Sequence, residues 1–212
     1  PANAKVLAEL RARLSQWVKG MPDLSLFPES ELEKLNAFDN PVAFGLKNKQ
    51  RIGKLVDTAD LSLLPLADAA GGIEAALASD DPWQRYWGLI VCSCFGRQAE
   101  RFVAKARQIA AGDAEQLVRV RAAEFLALIG ADKPQKVILD VLAKADHPLE
   151  ALLTLNTAVM LRDGRTHCEF NIPAGSVKAK DGLVNQRLAY LAGEGGKDRK
   201  GGKARKGGKA GK

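Results

Sequence analysis

Three equally spaced glycines constrain the fold of this 212-residue chain more than any other feature. Gly96, Gly130 and Gly164 close three similar apolar segments, WGLIVCSCFG, AAEFLALIG and TLNTAVMLRDG, and successive glycines are 34 residues apart. Glycine is common just after the last turn of an α-helix, where the backbone often becomes left-handed. The spacing therefore predicts a structural unit that recurs along the chain and ends each time in a helix.

The middle segment, VRVRAAEFLALIG, has the clearest helical period. Its apolar residues recur at i, i+4, i+7, i+8 and i+11, which places them on one face of an α-helix. Arg119, Arg121 and Glu124 fall outside this stripe, and we expect them to point away from the core. A strand would need alternation with a period of two, which the segment lacks.

Another apolar helix is predicted ahead of each segment, in LADAAGGIEAAL, ERFVAKARQIAAG and KPQKVILDVLAKA. The sequences DDPWQR and DHPLEA offer an Asp as helix cap and a Pro for the first turn. Two helices in about 34 residues are typical of an α-solenoid. The segments resemble short bacterial HEAT-like repeats, whose second helix carries D-x-x-V-R-x-x-A-A-x-x-L-G. EQLVRVRAAEFLALIG matches this pattern well, DDPWQRYWGLIVCSCFG in part, and the third segment only in phase.

We therefore predict an all-α fold, a short HEAT-like α-solenoid of about three two-helix repeats with flanking helices and a disordered basic tail. Residues 1–59 are predicted to form N-terminal helices and a loop that link to an upstream domain. Residues 60–164 hold the repeats, residues 165–192 form a C-terminal cap, and residues 193–212 are the Gly/Lys tail.

The stretch WQRYWGLIVCSCFGR raises the question of a reactive or metal-binding Cys-Ser-Cys site. Positions i and i+2 of a helix lie about 200° apart, so Cys92 and Cys94 cannot share a metal or form a disulfide. Cys94 falls on the same stripe as Trp83, Trp87, Ile90 and Val91. We therefore expect both thiols to be packed in an internal helix.

The other polar residues that stand out indicate structural roles. Asn156 falls in the apolar phase of the third segment, where we expect it to satisfy buried backbone groups or a neighbour at a helix crossing. His147 precedes Pro148 at a helix start, which favours a capping or surface role. His167 and Cys168 are adjacent, which is not a chelating geometry. The sequence contains no P-loop, nucleophile elbow, dinucleotide fingerprint or HExxH, so no catalytic, cofactor-binding or metal-binding residue is predicted.

The net charge of +7 is concentrated at the end of the chain. From Gly193 onward the units GGKDRK, GGKARK and GGKAGK offer almost nothing apolar to bury, which predicts a flexible arm. Such an arm can neutralise a polyanion without reading sequence, although a purely solubilising role remains the alternative. The predicted polyanion-binding residues are Lys197, Arg199, Lys200, Lys203, Arg205, Lys206, Lys209 and Lys212.

The flanks add further helices. In AKVLAELRARLSQWVKG one face carries Leu7, Leu10, Leu14, Trp17 and Val18. Ser30-x-x-Glu33 is predicted to be a capping box, and AFDNPVAFGLKNKQRIGKL to be loop-like with a turn at Asn40-Pro41. HCEFNI is predicted to be extended, and GLVNQRLAYLAG to form a last helix with an apolar stripe of Leu183, Val184, Leu188 and Leu191.

A longer resemblance spans residues 1–192. LRARLSQWVKGMPDLSLFPE, DNPVAFG, DDPWQRYWGLIVCSCFG and ALLTLNTAVMLRDG together resemble the C-terminal extension that follows the catalytic domain of planctomycete-type bacterial sulfatases. The chain starts at Pro1 without Met, and we interpret this start as a cut inside a longer protein. The resemblance implies a sulfuric ester hydrolase whose catalytic domain lies upstream. It also implies a bound calcium ion in that domain and a periplasmic or secreted location.

No catalytic residue of the family maps onto this chain. Sulfatases use a formylglycine made from a C/S-x-P-x-R motif, and none of Cys92, Cys94 or Cys168 begins one. We therefore expect a non-catalytic region that packs on the sulfatase domain through its first helix and holds a sulfated polysaccharide with its tail. The alternative is a stand-alone HEAT-like adaptor with a basic tail for anionic polymers. No apolar run reaches the roughly 18 residues of a membrane span.

Overall fold

The structure is a computed structural model that describes residues 3–21 and 23–194. These residues form α-helices, short 3₁₀ turns and loops, with no β-strand among them, so the all-α prediction is confirmed. The helices are α1 (Ala4–Gly20), α2 (Glu29–Lys34), α3 (Pro41–Lys47), α4 (Lys49–Asp60), α5 (Leu66–Leu77), α6 (Pro82–Phe95), α7 (Val103–Gly112), α8 (Gln116–Leu128), α9 (Gln135–Lys144), α10 (Pro148–Asp163) and α11 (Gly182–Leu191).

The helices that begin at Pro82 and Pro148 are capped by the residue just before the proline. At α6 the carboxylate of Asp81 accepts a hydrogen bond from the backbone N–H of Trp83 at 3.0 Å. At α10 the cap is His147, whose Nδ1 accepts from the N–H of Leu149 at 3.3 Å. The capping role predicted for His147 is therefore confirmed, whereas an Asp cap at this helix was wrong.

Two of the three glycines end their helices in positive-φ conformations. Gly96 has φ of +58° and Gly130 has φ of +72°. The turn after α8 is closed by a hydrogen bond of 2.8 Å from the N–H of Ala131 to the carbonyl of Leu126, as in a Schellman motif. Gly164 also follows its helix directly, but its φ of −82° is not left-handed; a Cβ here would lie 2.6 Å from the carbonyl oxygen of Met160, which favours glycine for a steric reason.

The predicted capping box of the N-terminal flank is wrong. Helix α2 begins at Glu29 after Pro28, and no side chain caps its first turn. Ser30 lies inside the helix and is buried. Its hydroxyl is therefore not at the position from which a capping box closes.

The segment that we predicted to be loop-like is also helical. It forms α3 and most of α4, and Asn40 caps α3 by accepting a hydrogen bond from the N–H of Ala43 at 3.1 Å. Buried residues of α4 include Ile52, Leu55 and Val56, which share one helical face. The polar run from Asn48 to Arg51 just before them obscured this period in the sequence.

Helices α4, α6, α8 and α10 form the centre of the packing. Helix α6 lies between α4 and α8, and α8 lies between α6 and α10. Helices α5 and α7 pack on α6 and α8 respectively, while α9 contacts both α8 and α10. Because α8 has neighbours on several sides, every residue from Leu117 to Ala127 except Arg121 is buried. The outward orientation predicted for Arg119 and Glu124 was therefore wrong.

The C-terminal part closes the other end of this packing. Residues 167–172, which include HCEFNI, form neither helix nor strand, and Phe170 is buried against the last core cluster. Helix α11 packs on α10 with Val184 fully buried, whereas Leu183, predicted in the same stripe, is exposed.

Candidate docking surface

Exposed apolar side chains are concentrated in the N-terminal flank. Among the described residues up to 64, the large apolar side chains that remain exposed are Val6, Leu7, Leu10, Leu14, Trp17, Leu35, Phe38, Val42, Leu46, Leu63 and Leu64. Among residues 65–194 the corresponding set is Leu128, Met160, Leu183 and Tyr190. Scattered apolar residues are normal on a protein surface, but a concentration at one end indicates an interaction surface.

The largest part of this set lies on α1, in which no residue is buried. We call Val6, Leu7, Leu10, Leu14 and Trp17 the α1 face. The relative exposures of Leu10 and Leu14 are both 58%, and that of Trp17 is 62%. The sequence correctly placed Leu7, Leu10, Leu14 and Trp17 on one side of a helix, but that side does not face the rest of the described chain.

Helix α1 is attached to the rest of the molecule along a different side. It packs against α4, and Val18 is partly buried against the N-terminal core cluster. The Lys19 ammonium forms an ion pair with Asp57, and Nη1 of Arg11 donates to the carbonyl of Leu63 at 3.2 Å. These contacts fix the position of α1 while the α1 face remains open.

Two basic side chains, Arg11 and Arg13, lie on either side of the α1 face, while Lys5 lies on the opposite side of the helix. Lys5, Arg11 and Arg13 are exposed on α1, and the only acidic residue of the helix is Glu9. Glu9 contacts Arg13 at 4.0 Å, but both side chains are largely exposed, so this pair contributes little. The docking surface therefore combines apolar contacts with excess positive charge.

The two tryptophans of WQRYWGLIVCSCFGR fasten the N-terminal flank to α6. Nε1 of Trp87 donates to the carbonyl of Leu26 at 2.8 Å, and Nε1 of Trp83 donates to Glu31 at 3.2 Å. The Trp83 ring is buried in a cluster that includes Phe27. These indoles therefore hold residues 24–34 in place.

Cys92 and Cys94 differ in their surroundings. Cys92 is fully buried, and loss of solvation raises the pKa of its thiol to about 12. Cys94 is exposed, so the prediction that both thiols are packed was wrong for Cys94. All three cysteines are free thiols.

Three arginines separated by 34 residues connect successive parts of the chain. Arg51 on α4 binds Asp81 through Nε at 2.7 Å, and Arg85 on α6 binds Asp113 through Nε at 2.7 Å. Arg119 on α8 binds Asp140 through Nη2 at 2.6 Å. We call Arg51, Arg85 and Arg119 the arginine ladder.

The arginine ladder was missed because charged residues within helical segments usually point to solvent. Here Arg119 is buried and also donates to the carbonyl of Ala110 at 3.1 Å. Hydrogen bonding to Asp113 raises the pKa of Arg85, which therefore stays charged. The spacing of Arg51, Arg85 and Arg119 was the available signal, since it equals the spacing of the glycines.

A buried polar group lies between α6, α8 and α10. Arg121 forms an ion pair with Glu124, donates to Oγ1 of Thr157 at 2.9 Å, and lies over the Tyr86 ring at 5.3 Å from its centroid. Burial raises the pKa of Glu124, and the attraction of Arg121 opposes that rise. Because Arg121 bonds to two neighbours and stacks on a third, we interpret the group as a link between helices.

The remaining predicted polar positions are Asn156, His167 and Cys168. Oδ1 of Asn156 accepts a hydrogen bond from Nε of Arg187 on α11 at 2.7 Å, so Asn156 does bind a neighbouring helix. His167 is exposed with a positive φ of 47°, and Cys168 beside it is partly buried. Within residues 3–21 and 23–194, no group of three His, Cys, Asp or Glu side chains is placed to hold a metal ion.

A groove of about 590 Å³ lies between α7, α8 and α9. Its floor is apolar, and its rim carries Lys133 and Lys136, which form no ion pair with another described residue. Asp132 and Asp140, the two acidic residues of the rim, are bound by Arg107 and Arg119 respectively. The groove therefore has a net positive rim.

The predicted polyanion-binding tail, Lys197 to Lys212, lies outside the described residues. No helix of the described part has the length and apolarity that crossing a membrane requires. No protein-family model, curated protein or solved structure matches this chain.

Proposed function

We propose that this chain is a non-catalytic, HEAT-like helical module that packs against another protein domain through the α1 face. The observation that carries the proposal is the open apolar side of α1 at one end of an otherwise well-packed helical protein. In stacked helical proteins the terminal elements normally present a polar outer side to water. An apolar outer side at one end therefore indicates that a neighbour covers it.

The arginine ladder supports the repeat character. Arg51, Arg85 and Arg119 occur on alternate helices, and the carboxylates that they bind lie near or within the helix pairs that follow. Gly96 and Gly130, with the same spacing, each end one of these helices with a positive φ. Recurrence of both a buried charge contact and a helix end is expected when each unit packs only on its neighbours.

The energetic cost of the exposed α1 face supports docking. Complete burial of a Leu side chain contributes about 1.5–3 kcal/mol relative to full exposure, so a half-exposed leucine forgoes about 1 kcal/mol. Leu7, Leu10, Leu14 and Trp17 together forgo roughly 4 kcal/mol. Burial against a partner domain recovers this free energy.

The sequence resemblance identifies a sulfatase catalytic domain in the same polypeptide as the partner that we propose. In that arrangement the hydrolysis of sulfate esters and the calcium ion belong to the upstream domain, and the protein acts in the periplasm or outside the cell. The purified 212-residue chain should then not hydrolyse 4-nitrophenyl sulfate with or without added calcium, whereas a control arylsulfatase should. Turnover by the chain that survives repurification would refute the proposal.

The tail is the part proposed to bind a sulfated polysaccharide or another polyanion. Binding of heparin to the full chain should weaken linearly on a plot of log K against log salt, because each neutralised anionic group releases counterions. Replacing the eight Lys and Arg residues of the tail with Gln should remove this binding. Salt-independent binding, or binding that survives the Gln replacements, would contradict this role.

A stand-alone adaptor is the second candidate. Leu128 and Met160 favour it, because each stays exposed in a central helix and offers apolar contacts away from the α1 face. The genomic reading frame distinguishes the two candidates. A C/S-x-P-x-R motif upstream in the same frame supports the sulfatase arrangement, and a start codon at the edge of the chain supports the adaptor.

A further inference from the structure

We propose that the α1 face is one half of a two-helix seam, and that its occupant is an amphipathic helix of the partner with apolar positions flanked by Asp and Glu. This inference rests on the proposed docking function and names the chemistry of the partner surface.

The exposed residues of α1 follow a heptad spacing. Leu7, Leu10, Leu14 and Trp17 are separated by three, four and three residues, the alternation of the a and d positions of a coiled coil. All four are exposed, so the seam is formed but unoccupied by any described residue. These four a and d residues form a stripe that suits one partner helix, and Val6 lies beside them at a g position.

The positions beside the seam determine the charge of the occupant. With Leu7 at an a position, Arg11 is an e residue and Arg13 is a g residue, the positions that form ion pairs with a partner helix. Both arginines are exposed, and no described acidic side chain other than Glu9 pairs with either. A partner helix with Asp or Glu at its flanking positions complements them, while one with Lys or Arg is repelled.

The arginines disfavour a second copy of this chain as the occupant. The charged residues that the copy would bring to the flanking positions are again Arg11 and Arg13, so self-pairing gains no opposite-charge contact. Charge does not argue against an anionic membrane, but Val18 beside the α1 face already packs on the protein core, which limits the apolar surface that α1 can bury in lipid.

A synthetic helix tests the inference. The probe is a labelled three-heptad peptide with Leu at a and d positions and Glu at e and g positions, titrated with the full 212-residue chain. The matched probe carries Lys in place of each Glu. We expect the acidic peptide to bind at least about tenfold more tightly than the basic one. Trp17 emission should shift to shorter wavelength on binding, and the W17F variant should lose that part of the shift.

Variants separate the α1 face from the rest of the molecule. The double variant L10Q/L14Q removes the seam with little change in helix propensity, and it should lose binding of the acidic peptide. The matched control V42Q/L46Q replaces two equally exposed apolar residues on α3 and should bind as the unmodified chain does. Both variants keep the basic tail, so weak binding through the tail appears equally in both. R13E should reverse part of the preference for the acidic peptide.

Equal affinity for the two peptides, or unchanged binding of the acidic peptide by L10Q/L14Q, would overturn the inference. A micromolar dimer in sedimentation that L10Q/L14Q abolishes would also overturn it, because that result assigns the α1 face to a second copy. A shift of Trp17 emission with phosphatidylserine–phosphatidylcholine vesicles and none with either peptide would overturn it by assigning the α1 face to a membrane. None of these outcomes concerns sulfate ester hydrolysis. Failure of the helix partner is therefore distinguishable from failure of the sulfatase proposal.

Discussion

Removing one carboxylate of the arginine ladder should destabilise the protein far more than removing a carboxylate from an exposed pair of the same geometry. In the ladder, Nε and Nη2 of Arg85 bind the two oxygens of Asp113 at 2.7 and 2.8 Å. On the surface, Nε and Nη2 of Arg107 bind Asp132 at 2.8 and 3.0 Å. The side-chain exposures are 16% and 5% in the ladder pair against 53% and 39% in the surface pair.

The difference in exposure sets the expected magnitude. Leaving a buried charge without its partner costs about 3–5 kcal/mol, and we expect about 2–4 kcal/mol for D113N because Arg85 keeps some contact with water. Asn retains an acceptor for the N–H of Glu115, which donates to Asp113 at 3.0 Å, so the measurement reports mainly the lost charge. D132N should barely change stability, since water replaces the lost carboxylate.

Urea unfolding followed by circular dichroism measures both variants against the unmodified chain. A double-mutant cycle with R85Q separates the pairwise contribution from the cost of each single change. If D113N and D132N shift the free energy of unfolding equally, the arginine ladder is only a surface feature and the argument from burial fails.

Three further perturbations test other parts of the structure. F125A should reduce the free energy of unfolding by about 3–5 kcal/mol in urea titrations, because Phe125 is fully buried; a loss below about 1 kcal/mol would contradict that packing. Ellman's reagent should modify Cys94 and Cys168 in the folded chain and spare Cys92 until urea is added, because the Cys92 thiol is buried and its pKa is raised. Equal modification rates for all three thiols would be incompatible with this structure. H147A should cost about 0.5–2 kcal/mol through the lost cap of α10, and an unchanged urea midpoint would show that this hydrogen bond contributes nothing.

The sequence predicted the central helices well because their periodicity is strong. The segments closed by Gly96, Gly130 and Gly164 are helices α6, α8 and α10, and each predicted preceding helix is present. The loop-like prediction for the N-terminal flank was wrong because the turn signal at Asn40-Pro41 and the polar run from Asn48 to Arg51 outweighed the short apolar period of α4. A weak local period becomes a helix here because Ile52 and Leu55 can be buried against α6.

Burial was harder to predict than helix position. Cys94 continues the stripe of Trp83 along α6, but a helical period gives the direction of a side chain and not how far its neighbours extend. Arg119 shows the opposite error. This charged side chain is buried because the carbonyl of Ala110 and the carboxylate of Asp140 accept its hydrogen bonds. The α1 face was placed on the correct side of its helix, while its exposure depends on packing that one sequence does not reveal.

Hydrogen–deuterium exchange of the isolated chain, resolved by mass spectrometry, shows whether the α1 face is uncovered in solution. Amides of α1 should exchange much faster than those of α6 and α8, because α1 has no buried residue and the α1 face is uncovered in the isolated chain. The Glu-flanked peptide should slow exchange in α1 alone. Protection of α1 equal to that of α8 in the isolated chain would contradict the account, because the proposed docking surface would then already be covered.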